Sequence, residues 1–262
     1  MQKLIGWFSA RKTNQNNRTA RRRIDLGEAL PPYPVYAIGD VHGCLSLLKQ
    51  AEEAIARDID GNGKSGMVIL LGDFVDRGPA SSQVLDHLIK PSRLGLKRLP
   101  LCGNHDDIFL KFLDDPDQNR EWLALGGEQT LMSYGIDIHH LGSRHKGRGA
   151  NLQDLLAEAV PAAHREFLET LPVSLRVGQM IFVHAGIRPG IPFDDQSDED
   201  LMWIREPFLN LGPQLPHTFV IHGHTPSPAP DLGPSRVGID TGAFYTGKLT
   251  ILKIDGEQTR FL

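Results

Sequence analysis

The chain has little sulfur and no apolar run of membrane length. Its 262 residues hold only Cys44 and Cys102, too few for the disulfide framework on which small secreted folds rely. They read as two reduced, partly buried thiols. No segment approaches the ~20 apolar residues that cross a bilayer, while 40% hydrophobic content suffices for a full core. A cytoplasmic protein with one folded domain is expected. Acidic residues are absent from the first 24 positions, which carry seven Lys or Arg, including Arg21-Arg22-Arg23. Beyond that block, 21 basic residues face 32 acidic ones. That balance argues against a nucleic-acid binder, because duplex affinity rests on basic phosphate contacts. Residues 1–30 are expected to form a basic, flexible arm and residues 31–262 a single domain. Three roles stay open for the arm: a solubilising tail, a surface-binding segment using Leu4, Ile5, Trp7 and Phe8, or an organelle presequence.

What is present is a series of short apolar runs, each ended by glycine and then by metal-ligand residue types. Pro34–Ile38 leads into GDVHG at 39–43, Met67–Leu71 into GDFVDRG at 72–78, and Leu96–Cys102 into GNHD at 103–106. The runs read as strands, and Leu47, Leu48, Ala51, Ala54 and Ile55 give the first connection a helical face. A β-α-β-α-β order implies parallel strands with right-handed crossovers. Ligands in such sheets collect beyond the carboxyl ends of the strands. Asp40, His42, Asp73 and Asn104 then share one edge. The run Met180–Val183 places His184 at another strand end, and Phe219–His222 leads to His224.

Carboxylates suit hard divalent cations, and imidazole suits manganese, iron, zinc or nickel. This set mixes both, and it points to two divalent cations, with manganese the first choice. A pair of cations needs a shared anionic ligand and can clamp both oxygens of an in-line displacement. Asp73, central in chain order, is the natural bridge. Water on such ions loses a proton near neutral pH, so phosphorus can be attacked by hydroxide with no covalent phosphoenzyme. A planar bidentate donor suits an oxyanion better than an ammonium does, and the second motif carries Arg77 rather than Lys.

GDxHG, GDxxDRG, GNH(E/D), HA and GH in this order resemble the phosphoprotein phosphatase family of calcineurin-like metallophosphoesterases, over about residues 34–250. The resemblance implies an α/β fold: a β-sandwich of two mixed sheets flanked by helices, with the parallel units in front and the late strands, Lys248–Ile254 included, behind. It implies that Asp40 and His42 bind a first metal, Asp73 bridges, and Asn104, His184 and His224 bind a second. Asn104 and Arg77 would also meet the substrate phosphate, with His105 the general acid and Asp76 its orienting carboxylate. Arg205, in LMWIREPF, is similar to a Trp-x-Arg-Glu segment of bacterial members and would be a second clamp; a surface salt bridge is the plainer reading. Asp106 departs from the commoner GNHE and receives no role beyond a supporting contact behind the ligands. The expected activity is phosphate removal from phosphoserine or phosphothreonine in proteins. HAGI at 184–187 and Asp240-Thr241-Gly242 fit symmetrical dinucleoside tetraphosphatases as well, and a noncatalytic metal-binding module is a third reading.

Other features carry less. His222 shares a strand face with His224 and could assist or replace it. Asp58–Gly63 begins like a calcium loop, but its twelfth position is Ile69 rather than Glu, so it reads as a connecting turn. His139, His140 and His145 read as solvated loop histidines, and Pro226–Pro234 as a loop. Residues 114–170 are expected to be a helical cap above the metals that helps select substrate.

Overall fold

The computed structural model describes residues 20–63, 65–139 and 152–262. Two mixed sheets face each other. The front sheet has the order β11-β10-β2-β3-β4, built from β2 (Val35–Ile38), β3 (Met67–Leu70), β4 (Lys97–Pro100), β10 (Ile251–Asp255) and β11 (Gln258–Phe261). The first three are parallel, as the β-α-β reading expects. Helices α1 (Leu45–Asn62) and α2 (Ser81–Ile89) make the crossovers, and α3 (Asn104–Asp114) follows β4. The back sheet has the order β1-β5-β6-β7-β9-β8, with β1 (Arg23–Asp25), β5 (Ser174–Val177), β6 (Met180–Val183), β7 (Phe219–His222), β8 (Asp231–Gly233) and β9 (Arg236–Gly238).

Alternation explains the unbroken apolar runs. Val35, Ala37, Ile69 and Leu71 pack with Leu175, Phe182, Ile221 and Val237 between the sheets. Tyr36, Ile38, Val68 and Leu70 join the core under the helices. A strand covered on both faces needs apolar residues at every position.

Four expectations change. Residues 248–254 were assigned to the back sheet, yet β10 runs antiparallel to β2, with Ile251 opposite Ile38. Leu252 and Ile254 thereby reach the inter-sheet core, a pairing across some 200 residues that no local pattern specifies. The expected arm at 1–30 overlaps the domain, because Arg23 pairs with Ser174 as β1 joins the back sheet. Residues 1–19 lie outside the described residues. The supposed turn at 58–63 is the last turn of α1, ended by Gly63 in the left-handed region, and Asp58 there accepts from Tyr36 and Lys253 at 2.6 Å. Within the expected loop 226–234, Asp231–Gly233 forms a short hairpin strand with β9.

The described parts of the 114–170 insertion contain the helices Arg120–Leu125, α4 (Gly127–Ser133), Leu152–Ala159 and Ala162–Thr170. His140 and His145 fall outside the described residues, while His139 is exposed. Among the described residues, no helix is long and apolar enough to cross a membrane.

Candidate metal centre

Five strand ends deliver the centre to one rim. The turn after β2 carries Asp40 and His42, the turn after β3 carries Asp73, Asp76 and Arg77, α3 opens with Asn104 and His105, and β6 and β7 deliver His184 and His224. His42, Asp73, Asp76, Arg77 and His224 all have positive φ, between 42° and 72°. Non-glycine residues in that region carry strain that the surrounding structure must hold. Close backbone packing helps to hold it. A Cβ on Gly103 would lie 2.1 Å from Asp73 Oδ1, and one on Gly223 would lie 2.0 Å from Asp40 Oδ1, so neither glycine can be replaced without moving a carboxylate.

Asp73 stands between two sets of donors. Its Oδ2 is 3.4 Å from His42 Nε2, its Oδ1 is 3.4 Å from His184 Nε2, and Oδ1 also accepts from the His105 backbone N–H at 2.9 Å. Ligand-type atoms of His42, Asp73 and His105 lie within 4.8 Å of one another, and so do those of Asp40, Asp73 and His184. Asn104 Oδ1 lies 2.8 Å from both His184 Nε2 and His224 Nδ1. Asp40 accepts from the His224 backbone N–H at 3.0 Å.

The donor chemistry fits bound cations. His184 Nδ1 donates to the Leu71 carbonyl and His42 Nδ1 to the Val75 carbonyl, each at 2.9 Å, which leaves both Nε2 lone pairs facing Asp73. The His184 lone pair also confronts Asn104 Oδ1, so acceptors outnumber donors. His224 Nε2 and Asp240 Oδ2 are buried with no hydrogen-bond partner among the described residues. Burial lowers the pKa of His42 to about 3 and lowers those of His184 and His224, favouring the neutral imidazole that binds metal. Burial, then the Asp240 and Asp73 charges, raises Asp40, a repulsion that cations would relieve.

Beside this set, His105 Nδ1 meets Asp76 Oδ2 at 2.6 Å. Burial opposes a charged His105, but the Asp73 and Asp76 carboxylates outweigh it and raise its pKa. The Arg77 guanidinium spans the two halves, at 2.8 Å from His42 Nε2 and 2.9 Å from His105 Nε2. Arg205 stands at the rim, with a long 3.4 Å bond to the His224 carbonyl and no carboxylate partner among the described residues.

Residues 33–248 match the Calcineurin-like phosphoesterase family. The chain belongs to this family. Its relatives also tie this calcineurin-like phosphoesterase to the phosphoprotein phosphatases. Serine/threonine-protein phosphatase 1 of Salmonella typhimurium is 27% identical over 224 residues, covering 84% of this chain and 91% of the relative. The asymmetrical bis(5'-nucleosyl)-tetraphosphatase PrpE of Anoxybacillus flavithermus is 26% identical over 246 residues, covering 85% and 91%. The symmetrical bis(5'-nucleosyl)-tetraphosphatase of Dechloromonas aromatica is 30% identical over 154 residues, which are 59% of this chain, and the match spans only 44% of the relative's length. A cold-active protein-tyrosine phosphatase of a Shewanella species shares the fold, with a TM-score of 0.56 at 15% identity over 91% of this chain and 78% of that one.

For this phosphoesterase, sequence reasoning left four supporting residues without a defined part. Asp106 accepts the backbone N–H groups of Asp73, Phe74 and Gly103, each at 2.9 Å, and so ties the second motif to the third. Burial and the charge of Asp73 push its pKa up to about 8. Trp122 and Thr130 reach Asp76 from the insertion, with Trp122 Nε1 donating to Oδ2 and Thr130 Oγ1 to Oδ1, both at 2.7 Å. The insertion therefore braces the Asp76 carboxylate that meets His105. Asp240 is the fourth, drawn beside Asp40; its place in the Asp-Thr-Gly triplet was the available signal. His222 turns elsewhere. Its Nδ1 meets the Gly223 carbonyl at 3.0 Å, its Nε2 meets Arg236 at 3.3 Å, and Phe208 stacks edge-on at 5.2 Å. The shared-face argument fails because β7 stops at His222 and His224 has left the strand with φ +64°.

Proposed function

We propose that this metal-dependent phosphatase removes phosphate from phosphoserine and phosphothreonine in proteins. The observation that carries the reading is one rim where Asp73 joins two donor sets and Arg77 spans His42 and His105. Asp40, His42 and Asp73 would hold one divalent cation, and Asp73, Asn104, His184 and His224 the other. Manganese is the first choice for a donor set rich in oxygen and imidazole. When bound, such cations act as Lewis acids and lower the pKa of coordinated water.

The chain's own residues do the rest. Arg77 presents two parallel N–H donors to phosphoryl oxygens, with Asn104 and Arg205 as further contacts from the second side. An alkoxide leaves poorly, so His105, charged through Asp73 and Asp76, donates a proton to it from Nε2. Asp76 fixes the tautomer and ring angle that make Nε2 the donating atom. The free thiols of Cys44 and Cys102 suit a cytoplasmic setting.

The second reading is dinucleoside tetraphosphate cleavage, favoured by the tetraphosphatase relatives. Comparing kcat/KM on phosphoserine peptides and on diadenosine tetraphosphate, in manganese, separates the two. A higher value on peptides, with inorganic phosphate released, is expected. Release of two ADP as the preferred reaction would move the assignment to the symmetrical tetraphosphatases. A noncatalytic module has no use for Arg77, His105 and Asp76 grouped on one rim; two bound metals with no turnover on any phosphoester would revive it.

A further inference from the structure

We propose that Phe244 and Tyr245 form an aromatic shelf for the side chain beside the phosphorylated residue, so that phosphopeptides with an aromatic neighbour are preferred. The proposal rests on the protein-phosphatase reading above. It starts from two exposed rings at the edge of the phosphate clamp, Phe244 at 39% and Tyr245 at 59% exposure.

The rings are held in place. Ala243–Thr246 is a single helical turn between Gly242 and Gly247, both in the left-handed region. Thr246 Oγ1 donates to the Thr241 and Gly242 carbonyls at 2.7 and 3.0 Å. Tyr245 packs so closely on its own backbone that a Cβ on Gly242 would lie 2.2 Å from Tyr245 Cζ. Phe244 meets His42 edge-on at 5.7 Å, and Tyr245 meets Phe244 at 4.8 Å with the planes at 79°. The Arg77 guanidinium carbon is 5.1 Å from the Phe244 ring centre. Clamp and shelf are therefore one continuous surface, charged at one end and aromatic at the other.

Reach selects the occupant. Neighbouring Cα atoms along a peptide are ~3.8 Å apart, so a side chain one or two residues from a phosphoserine on Arg77 falls on the shelf. In a symmetrically cleaved dinucleoside tetraphosphate, the nearer base lies beyond one further phosphate and a ribose from the reacting phosphorus and the other base beyond two, so neither ring is an immediate neighbour of the clamped group.

The test is a phosphoserine peptide with Phe scanned through the two positions on either side, each compared with Ala, in manganese. At one position Phe is expected to raise kcat/KM about three- to tenfold, mainly through KM, as an aromatic pair would. Tyr245→Ala should erase that preference and Tyr245→Phe should keep it, with turnover of N-acetyl-phosphoserine amide unchanged in both. No preference at any position, or one that survives Tyr245→Ala, overturns the shelf. If Tyr245→Ala instead weakens cleavage of diadenosine tetraphosphate, the shelf serves a base and the proposal is also overturned. Wild-type enzyme inert on every phosphopeptide would sink the underlying reading, whereas turnover without a Phe preference sinks the shelf alone.

Discussion

Trp122 donates its indole N–H to the same oxygen of Asp76, Oδ2, that meets Nδ1 of His105. The helical insertion is thus joined to His105, the proposed acid, by one shared atom. Trp122 is itself locked by Phe109 and Phe112, at 5.1 and 4.5 Å between ring centres. Trp122→Phe would keep most of that packing and remove the donor. A hydrogen bond to a charged group contributes about 1.5–3 kcal/mol, so part of that loss should appear as about a tenfold lower kcat on alkyl phosphomonoesters. A series of leaving groups checks it, because p-nitrophenyl phosphate, which needs no proton, should lose much less.

His105→Asn should show the same split more strongly. Its Nε2 faces the Arg77 clamp, and general acid catalysis contributes ~10²–10⁴-fold. Hydrolysis of alkyl phosphates should fall by about that factor, and hydrolysis of p-nitrophenyl phosphate by far less. Equal losses on both substrates would show that His105 acts by position or charge and not by donating a proton.

These two residues differ in how they could be read from sequence. His105 stood out because a glycine, an apolar run and metal-ligand residue types sit within a few positions of it, and the three parallel strands were legible for the same reason. Trp122 sits among apolar residues in a helical pattern with nothing local to single it out, since its partner Asp76 lies 46 positions away. Asp106 offered no more than a supporting contact for a similar cause: two of its three amide contacts reach Asp73 and Phe74 across the fold. The sheet that receives β10 and the strand at Arg23–Asp25 were hidden by distance along the chain. His222 misled because strand alternation was extended one turn too far, past a glycine packed on Asp40.

Asp73→Asn tests the bridge. Its two oxygens face His42 and His184 separately, and an amide offers one weak oxygen donor and no charge. Metal analysis after dialysis against manganese should fall from two ions per chain to one or none. Retention of two ions with near-normal turnover would remove Asp73 from the bridging role.

Arg21 anchors the start of the domain to α3, the helix that begins with Asn104 and His105. Its Nη2 lies 2.9 Å from Asp107 Oδ1, with both side chains nearly buried, and its Nη1 donates to the Leu168 and Leu171 carbonyls. Burial alone would raise the Asp107 pKa, but Lys111 and then Arg21 outweigh it, so the folded value lies below the unfolded one. Such a group stabilises the fold above its unfolded pKa of ~3.9, and that contribution disappears as pH falls through the lower folded value. The melting temperature should therefore decline as the pH drops from about 5 toward 2. Arg21→Ala removes one of these cations, so the acid decline should become shallower. At pH 7 the variant should lose about 1–3 kcal/mol, seen as a melting temperature lower by about 3–8 °C. An unchanged acid slope in thermal melts of Arg21→Ala would show that Arg21 does not set the charge of Asp107.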